Sequence, residues 1–261
     1  MIVTYETEHY IFHFLKNSMA EHDIIEIAEY QEQCHKKICE CLGITYQRKI
    51  GYWLYDSPQL IGDIFFEGVP CNGLSITNTE GKDIGRIVSL SGNRDDEFMI
   101  EPYSVHAVYE ENIKCIGEHE DTHVISAQLF EPCSAFLCEG LAMFMDGKWW
   151  GIENKIWTKY YQDIGELYQI NELINCDEDD FYDLECGKAY PIAGAWTEFM
   201  FERYGAEKYL QFYCCNENSQ SADTIFGKSL SRIQRDFENW LSEIVITEDM
   251  YSEIVRKVGK A

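Results

Sequence analysis

The chain reads His-Glu-Asp-Thr-His at residues 119–123 and Leu-Cys-Glu-Gly-Leu-Ala at residues 137–142. If residues 115–129 form a helix, His119 and His123 lie one turn apart on the same face. Two imidazoles at that spacing can bind one Zn2+ ion, and a glutamate beside them can act as a general base. This stretch therefore predicts a metal site and a reaction that activates water.

A third ligand is expected from a helical hairpin. Pro132 should interrupt the helix that carries the histidines. If the chain turns back near this proline, Glu139 on the next helix would face His123. A catalytic zinc site uses three protein ligands and keeps one position open for water. The predicted ligands are His119, His123 and Glu139, and Glu120 is the predicted catalytic base.

The structural alternative is a surface helix whose histidines fall at positions i and i+4 without binding a metal. That alternative leaves the placement of the Glu-Gly-Leu-Ala segment unexplained. It also leaves unexplained the apolar pairs Val124-Ile125 and Leu129-Phe130, which would bury the other side of the helix. We therefore prefer the metal site.

These segments carry a family resemblance. His119 to His123, together with Glu139-Gly140-Leu141-Ala142, resembles the gluzincin zinc metallopeptidases, the broad group that contains thermolysin and the neutral aminopeptidases. The chain is most similar to the peptidase-MA-like branch, in which a Glu-Gly-Leu-Ala helix closely follows the His-Glu-x-x-His helix. Residues 189–194, leading into Arg203-Tyr204-Gly205, resemble the helical lobe of that branch. The first 70 residues match only in their strand–helix–strand order.

The resemblance implies a zinc-dependent peptidase with Glu120 as base and proton shuttle. The chain departs from the family pattern in two places. The gap from His123 to Glu139 is shorter than in thermolysin-like enzymes. Asp121 is acidic where an apolar residue is commoner, and it lies about 100° around the helix from Glu120. Because most charged residues on helices face water, we expect Asp121 to be solvated rather than packed behind the ligands.

A peptidase of this type also needs a donor that stabilises the oxyanion of the tetrahedral intermediate. Gluzincins take a tyrosine or a histidine from the helical lobe beyond the third ligand, and this chain has no histidine after His123. Tyr190, before Pro191 at an expected helix start, is the predicted donor. A tyrosine that only packs is the alternative at this position. The other candidates are Tyr182, Tyr160 and Tyr161.

In the same folds, a strand before the zinc helix forms an edge of the sheet, and the substrate pairs with it. Residues 100–109 fit that position. Pro102 favours an edge strand, because proline cannot donate a hydrogen bond to a neighbouring strand. We interpret His106, within this segment, as a structural residue and not as a ligand.

The composition bounds the class of protein. The 261 residues are 46% hydrophobic and carry a net charge of −25, which indicates a globular chain and argues against nucleic-acid or membrane partners. The expected partner is a peptide or protein substrate, and the acidic charge would favour a cationic one. Residues 1–20 lack the features of a signal peptide, so a cytoplasmic protein with reduced cysteines is expected.

Strand patterns precede helix patterns along the chain, which predicts an α+β fold. We expect a strand-rich N-terminal lobe with a small mixed sheet and the zinc-binding helix pair in residues 1–150. A helical lobe in residues 151–261 would close the cleft, or the two parts would form one continuous catalytic domain. Strands are predicted at 3–15, 48–55, 84–90 and 100–109. Helices are predicted from Ser18 to Gly43, from Ser57-Pro58, and near 113–130, 134–147, 153–165, 191–204, 206–215 and 229–245.

Two other groups of residues could suggest metals. Cys34, His35, Cys39 and Cys41 cluster on one predicted helix. Cys34, Ile38 and Cys41 follow its apolar face, so buried structural cysteines are the preferred interpretation. The run Asp177-Glu178-Asp179-Asp180 lacks the spaced oxygen ligands and the glycine of a calcium loop, so a solvated loop is preferred.

The sequence therefore predicts a zinc-dependent metallopeptidase that hydrolyses peptide bonds. The alternative is a catalytically inactive zinc-binding or interaction module with a gluzincin fold. The complete ligand set and the presence of Glu120 favour the enzyme over that module.

Overall fold

The chain forms two compact units, Met1–Leu129 and Phe130–Ala261, in a computed structural model. The structure describes residues 1–77, 87–89, 97–99, 103–130, 134–215 and 218–258, with only the backbone described at 87–89, 97–99 and 218–220. The units divide at an earlier residue than the predicted lobe boundary after residue 150. That functional division into 1–150 and 151–261 stays a prediction.

The first unit contains a mixed sheet and three helices among its described residues. Its elements are β1 (Ile2–Glu6), β2 (Tyr10–Leu15), α1 (Met19–Leu42), β3 (Ile50–Tyr55), α2 (Pro58–Phe65), β4 (Gly73–Ile76), β5 (Ile87–Ser89), β6 (Glu97–Met99), β7 (Ser104–Val108) and α3 (Glu118–Ala127). The main sheet has five strands in the order β1-β2-β3-β7-β4. β2, β3 and β7 run parallel, and β1 and β4 are antiparallel to their neighbours.

The edge of this sheet differs from the prediction. β7 was expected at the edge, within residues 100–109, but it pairs with β3 on one side and β4 on the other. All five residues of β7 are buried, as expected for an inner strand. β4 takes the edge position among the described strands. Its four residues, Gly73–Ile76, are too few to give a strand signal in the sequence. Pro102 lies outside the described residues.

The predicted strand at residues 3–15 is two strands. Thr7 N donates to Tyr10 O at 3.0 Å, and this turn separates β1 from β2 as an antiparallel hairpin. β2 then alternates, with Tyr10, Phe12 and Phe14 buried between less buried neighbours. The sequence over residues 3–15 alternates without a break at this turn, so the pattern predicted a single strand.

Helix α1 follows its sequence signals. Ser18 is the N-cap and accepts a hydrogen bond from Glu21 N, as predicted. Gly43 ends the helix with φ at 67°, the left-handed conformation that glycine adopts without strain. Cys34 and His35 are buried on the inner face of α1, which agrees with a structural role.

The second unit is mainly helical. Its elements are α4 (Ala135–Asp146), β8 (Lys148–Trp149), β9 (Ile152–Glu153), α5 (Asn154–Asp163), α6 (Ile170–Asn175), α7 (Glu178–Tyr182), α8 (Cys186–Tyr204), α9 (Ala206–Tyr213), α10 (Asn218–Phe226), α11 (Leu230–Ser242) and α12 (Glu248–Lys257). The order of strands followed by helices confirms the mixed helix-and-sheet class. Among the described residues, no helix has both the length and the apolar composition needed to cross a bilayer.

Helix α4 is confirmed by its caps. The Ser134 side chain accepts from Leu137 N, and Gly147 closes the helix in the left-handed conformation. The predicted turn near Pro132, which connects this helix to the preceding one, lies outside the described residues. Within the second unit α4 packs closely on α8. A Cβ added to Gly140 would lie 2.7 Å from Thr197 Oγ1, so glycine permits this close approach.

Helix α8 begins earlier than predicted. Pro191 suggested a helix start, but the helix spans Cys186–Tyr204 with the proline inside it. Proline has no N–H to donate to the carbonyl four residues earlier. That carbonyl, Gly187 O, instead accepts from the Tyr161 hydroxyl at 3.1 Å. Tyr161, on α5, therefore supplies the hydrogen bond that the proline within α8 cannot make.

Candidate metal centre

The helix that carries the two histidines is α3, which is shorter than the predicted 113–130. It begins after Gly117, whose φ of 142° is unfavourable for other residues, and it ends at Ala127. Its first turn carries Glu118, Glu120 and Asp121. These negative charges suit the partial positive charge of a helix N-terminus, which supports a short helix that has no side-chain cap.

The imidazoles of His119 and His123 face each other from successive turns of α3. Their Nε2 atoms lie 3.3 Å apart, and the ring planes are inclined at 78°. A tetrahedral zinc ion with bonds of about 2.0–2.1 Å holds two such nitrogens roughly 3.3–3.4 Å apart. The pair of nitrogens therefore has the separation that a shared ion requires.

The third predicted ligand, Glu139, lies on α4. Its side chain is buried, with the residue 6% exposed, and Glu139 Oε1 accepts from the Tyr182 hydroxyl at 3.1 Å. His119 and His123 belong to the first unit, and Glu139 belongs to the second. Two imidazoles and one carboxylate are a donor set that zinc accepts in catalytic sites, so these residues fit that metal.

Glu120 lies beside the edge strand β4. A Cβ added to Gly73 would lie 3.3 Å from Glu120 Oε1 and 3.7 Å from Glu120 Cγ. The carboxylate of Glu120 therefore occupies the space next to the Gly73 backbone. This glycine leaves room for the carboxylate at the edge of the sheet.

Asp121 is buried, and the expectation that it is solvated is wrong. The residue is 0% exposed, and its Oδ2 accepts from the Tyr10 hydroxyl and, at 2.9 Å, from Gln31 Nε2. Burial raises the pKa of the Asp121 carboxyl to about 8, although both hydrogen bonds act in the opposite direction. The general rule that charged helix residues face water fails here because β2 and α1 provide hydrogen-bond donors.

The four candidate tyrosines have different surroundings. The Tyr190 ring packs on Trp149 and Phe181, with centroids 5.6 Å and 6.1 Å away. Tyr160 and Tyr161, both on α5, belong to a hydrophobic cluster that includes Ile254. Tyr182 contacts a predicted ligand, because its hydroxyl donates to Glu139. Burial, followed by the negative charge of Glu139, raises the pKa of Tyr182, so its hydroxyl keeps the proton that it donates.

His106 is a core residue of β7. The residue is 0% exposed, with its Nε2 3.1 Å from Ser104 Oγ and its Nδ1 3.2 Å from the Tyr55 hydroxyl. Burial lowers the pKa of His106 to about 3, so the imidazole is neutral at neutral pH. These contacts agree with the structural role expected for it.

Two contributors to the site region carry no local sequence signal. Tyr10 and Gln31 contact Asp121 but are separated from it by 111 and 90 positions in the chain. Their meeting depends on how β2, α1 and α3 pack, which no short motif encodes. The acidic run at residues 177–180 is exposed, as expected, but the prediction of a loop is wrong because residues 178–180 lie in α7.

No protein-family model and no curated protein matches this chain.

Proposed function

We propose that this protein is a zinc-dependent metallopeptidase of the gluzincin type. The proposal rests mainly on one observation, the two imidazole Nε2 atoms held 3.3 Å apart. The general base of a His-Glu-x-x-His motif lies between these two histidines in the sequence, and Glu139 is the predicted third ligand.

In this proposal His119, His123 and Glu139 bind the metal. When bound, zinc supplies a Lewis acid and lowers the pKa of water toward about 7. The Tyr182 hydroxyl orients Glu139 by its hydrogen bond to Oε1, as partners of metal ligands commonly do.

Glu120 acts as the general base and later as the acid. Its carboxylate removes a proton from the attacking water and delivers it to the leaving amine. The position of this carboxylate beside Gly73 supports the assignment, because β4 is the edge strand on which an extended substrate could lie. A peptide bound there would bring its scissile bond close to Glu120.

Substrate binding by strand addition follows from the topology of the first unit. β4 pairs with β7 on one side and has no other described strand on its second side. Its outward backbone groups can pair with an extended peptide. The net charge of −25 favours peptides that carry positive charge.

The oxyanion donor is assigned to Tyr182 in place of Tyr190. Its hydroxyl remains protonated and donates to Glu139 in the resting protein, and in this proposal it turns from Glu139 to the oxyanion as the tetrahedral intermediate forms. Tyr190 stays an untested candidate from the sequence.

The direct test of the proposal compares Glu120→Gln with the wild-type protein. Both proteins are loaded with zinc and incubated with a diverse peptide mixture, with and without a chelator. We expect equal zinc content, chelator-sensitive cleavage by the wild type, and a rate about 10²–10⁴-fold lower in the variant because the general base is lost. Zinc binding without any cleavage by the wild type would support the non-catalytic module instead. Full turnover by Glu120→Gln would exclude the mechanism.

A further inference from the structure

Three buried polar side chains meet behind α3 in the first unit. Tyr10, Gln31 and Asp121 are each 0% exposed. The Tyr10 hydroxyl donates to Asp121 Oδ2, and Gln31 Nε2 donates to the same oxygen at 2.9 Å. Burying a polar side chain costs free energy unless it is hydrogen-bonded, and the two hydrogen bonds to one oxygen hold the Asp121 side chain in a fixed orientation.

The side chain of Asp121 and those of the two histidines point in opposite directions from α3. An α-helix turns about 100° per residue. Asp121 is two residues from His119 and two from His123, so its side chain points roughly 160–200° away from theirs. Any rotation of α3 about its axis would therefore move the carboxylate and the imidazoles together. A fixed carboxylate on one face fixes the direction of the imidazoles on the other.

The N-terminus of α3 is held by the same partners. Gln31 Nε2 also donates to Gly117 O at 3.1 Å, so this one amide group contacts both the N-cap residue and Asp121 in the first turn. Lys37 Nζ, further along α1, lies 2.6 Å from Glu118 Oε1. These contacts set the rotation and the height of α3 against α1 and β2. Apolar packing alone is less directional than hydrogen bonds to one carboxylate.

We propose that Asp121 is a positioning residue, which through Tyr10 and Gln31 sets the rotation of α3 so that His119 and His123 converge on one metal ion. This inference rests on the proposed function, since it gives Asp121 a role in that metal site. Asp121 would thus control the geometry of the metal ligands from the opposite face of α3.

The test measures metal geometry and affinity in Asp121→Ala, Tyr10→Phe and Asp121→Asn. The readouts are the zinc dissociation constant and the visible absorption spectrum of the Co2+-loaded protein, which reports coordination geometry. We expect the zinc Kd to rise about tenfold or more in Asp121→Ala and Tyr10→Phe, with altered Co2+ bands. Asp121→Asn should stay within about threefold of wild type, because its amide oxygen can accept both hydrogen bonds.

Matched controls separate positioning from general stability. Ile61→Ala removes buried apolar volume from α2 in the same unit, so it should lower stability while leaving the Co2+ spectrum unchanged. Tyr10→Phe keeps the buried ring and provides the readout even if Asp121→Ala does not fold. Wild-type zinc affinity and wild-type Co2+ bands in Tyr10→Phe and in any folded Asp121→Ala would overturn the inference while leaving the proposed metal site intact.

A different result would remove the metal site itself. If the wild-type protein binds no zinc, or if His119→Ala and His123→Ala bind it as tightly as the wild type, the proposed function and this inference both fail. Binding that is lost in the histidine variants but unchanged in the Asp121 and Tyr10 variants contradicts only the positioning role.

Discussion

At the scale of single residues, the five residues 119–123 serve two faces of one short helix. His119 and His123 present nitrogens 3.3 Å apart on one face, while Asp121 is buried on the other. Glu120 lies between these directions and reaches the backbone of Gly73. The i, i+4 spacing was enough to predict the first face, whereas the second face depended on Tyr10 and Gln31 from distant parts of the chain.

The assignment of Tyr182 makes a prediction at this scale. Tyr182→Phe removes the hydroxyl that donates to Glu139 but keeps the ring, so kcat should fall about 10²–10³-fold. The zinc content should be retained at saturating metal, while KM should change less than kcat. Steady-state kinetics on a cleaved peptide measures this split.

Tyr190→Phe is the matched comparison, because it removes a hydroxyl from a ring that packs on Trp149 and Phe181. A large loss of kcat in Tyr190→Phe, with normal kcat in Tyr182→Phe, would return the oxyanion role to Tyr190.

At the scale of elements, local signals predicted the helices whose ends carry caps. Ser18 and Gly43 both act as the sequence indicated. Four described helices were missed: α6, α7, α10 and α12. Helix α12 was missed although Thr247 caps it by accepting from Met250 N. The edge strand β4 and the start of α8 were predicted wrongly for a different reason. β4 is defined by pairing with β7, and the proline within α8 is tolerated because Tyr161 supplies the missing donor.

The edge strand β4 makes a prediction at this scale. Gly73→Val should displace the Glu120 carboxylate, because even a single Cβ would lie 3.3 Å from Oε1. We expect kcat/KM to fall about 10–100-fold, with zinc affinity near that of the wild type, since a small misplacement of a reacting group is costly. Peptide kinetics and zinc titration of the same sample measure the two quantities.

Gly62→Ala is the stability control for this variant. Its added Cβ would lie 2.2 Å from Val69 O, so it disturbs the same unit away from α3. Normal activity in Gly73→Val would show that the base does not depend on space at the sheet edge.

At the scale of the whole molecule, buried histidines make stability depend on pH. Burial lowers the pKa of His106 to about 3, and His13 and His35 are lowered to about 4 for the same reason. In the unfolded chain these imidazoles have a pKa near 6.5, so the unfolded state gains protons first as the pH falls. The effect of these three histidines on stability is therefore absent well above about pH 6.5, and it lowers the free energy of unfolding as the pH falls from there toward their folded pKa.

His106→Gln tests this dependence. Between about pH 6.5 and pH 4, His106 alone should account for a loss of about 3 kcal/mol in the free energy of unfolding. Urea titrations at several pH values should give a shallower pH slope for the variant than for the wild type, whatever its stability at neutral pH. Equal slopes would show that His106 does not contribute.

The sequence predicted the general architecture better than the arrangement of its parts. Alternation and helical periodicity predicted a strand-rich first part and a helical second part, and both are present. Spacing alone identified His119, His123 and Glu139 as candidate ligands. Strand order, the sheet edge and the partners of Asp121 result from contacts between distant segments, for which a single sequence carries no periodic signal.

Zinc K-edge X-ray absorption of the zinc-loaded protein tests the central claim most directly. The account predicts one zinc ion with two imidazole nitrogens and one carboxylate oxygen among its ligands, at about 2.0–2.2 Å. A spectrum with sulfur at about 2.3 Å, or one that keeps its imidazole signal in a His119→Ala, His123→Ala double variant, would contradict it.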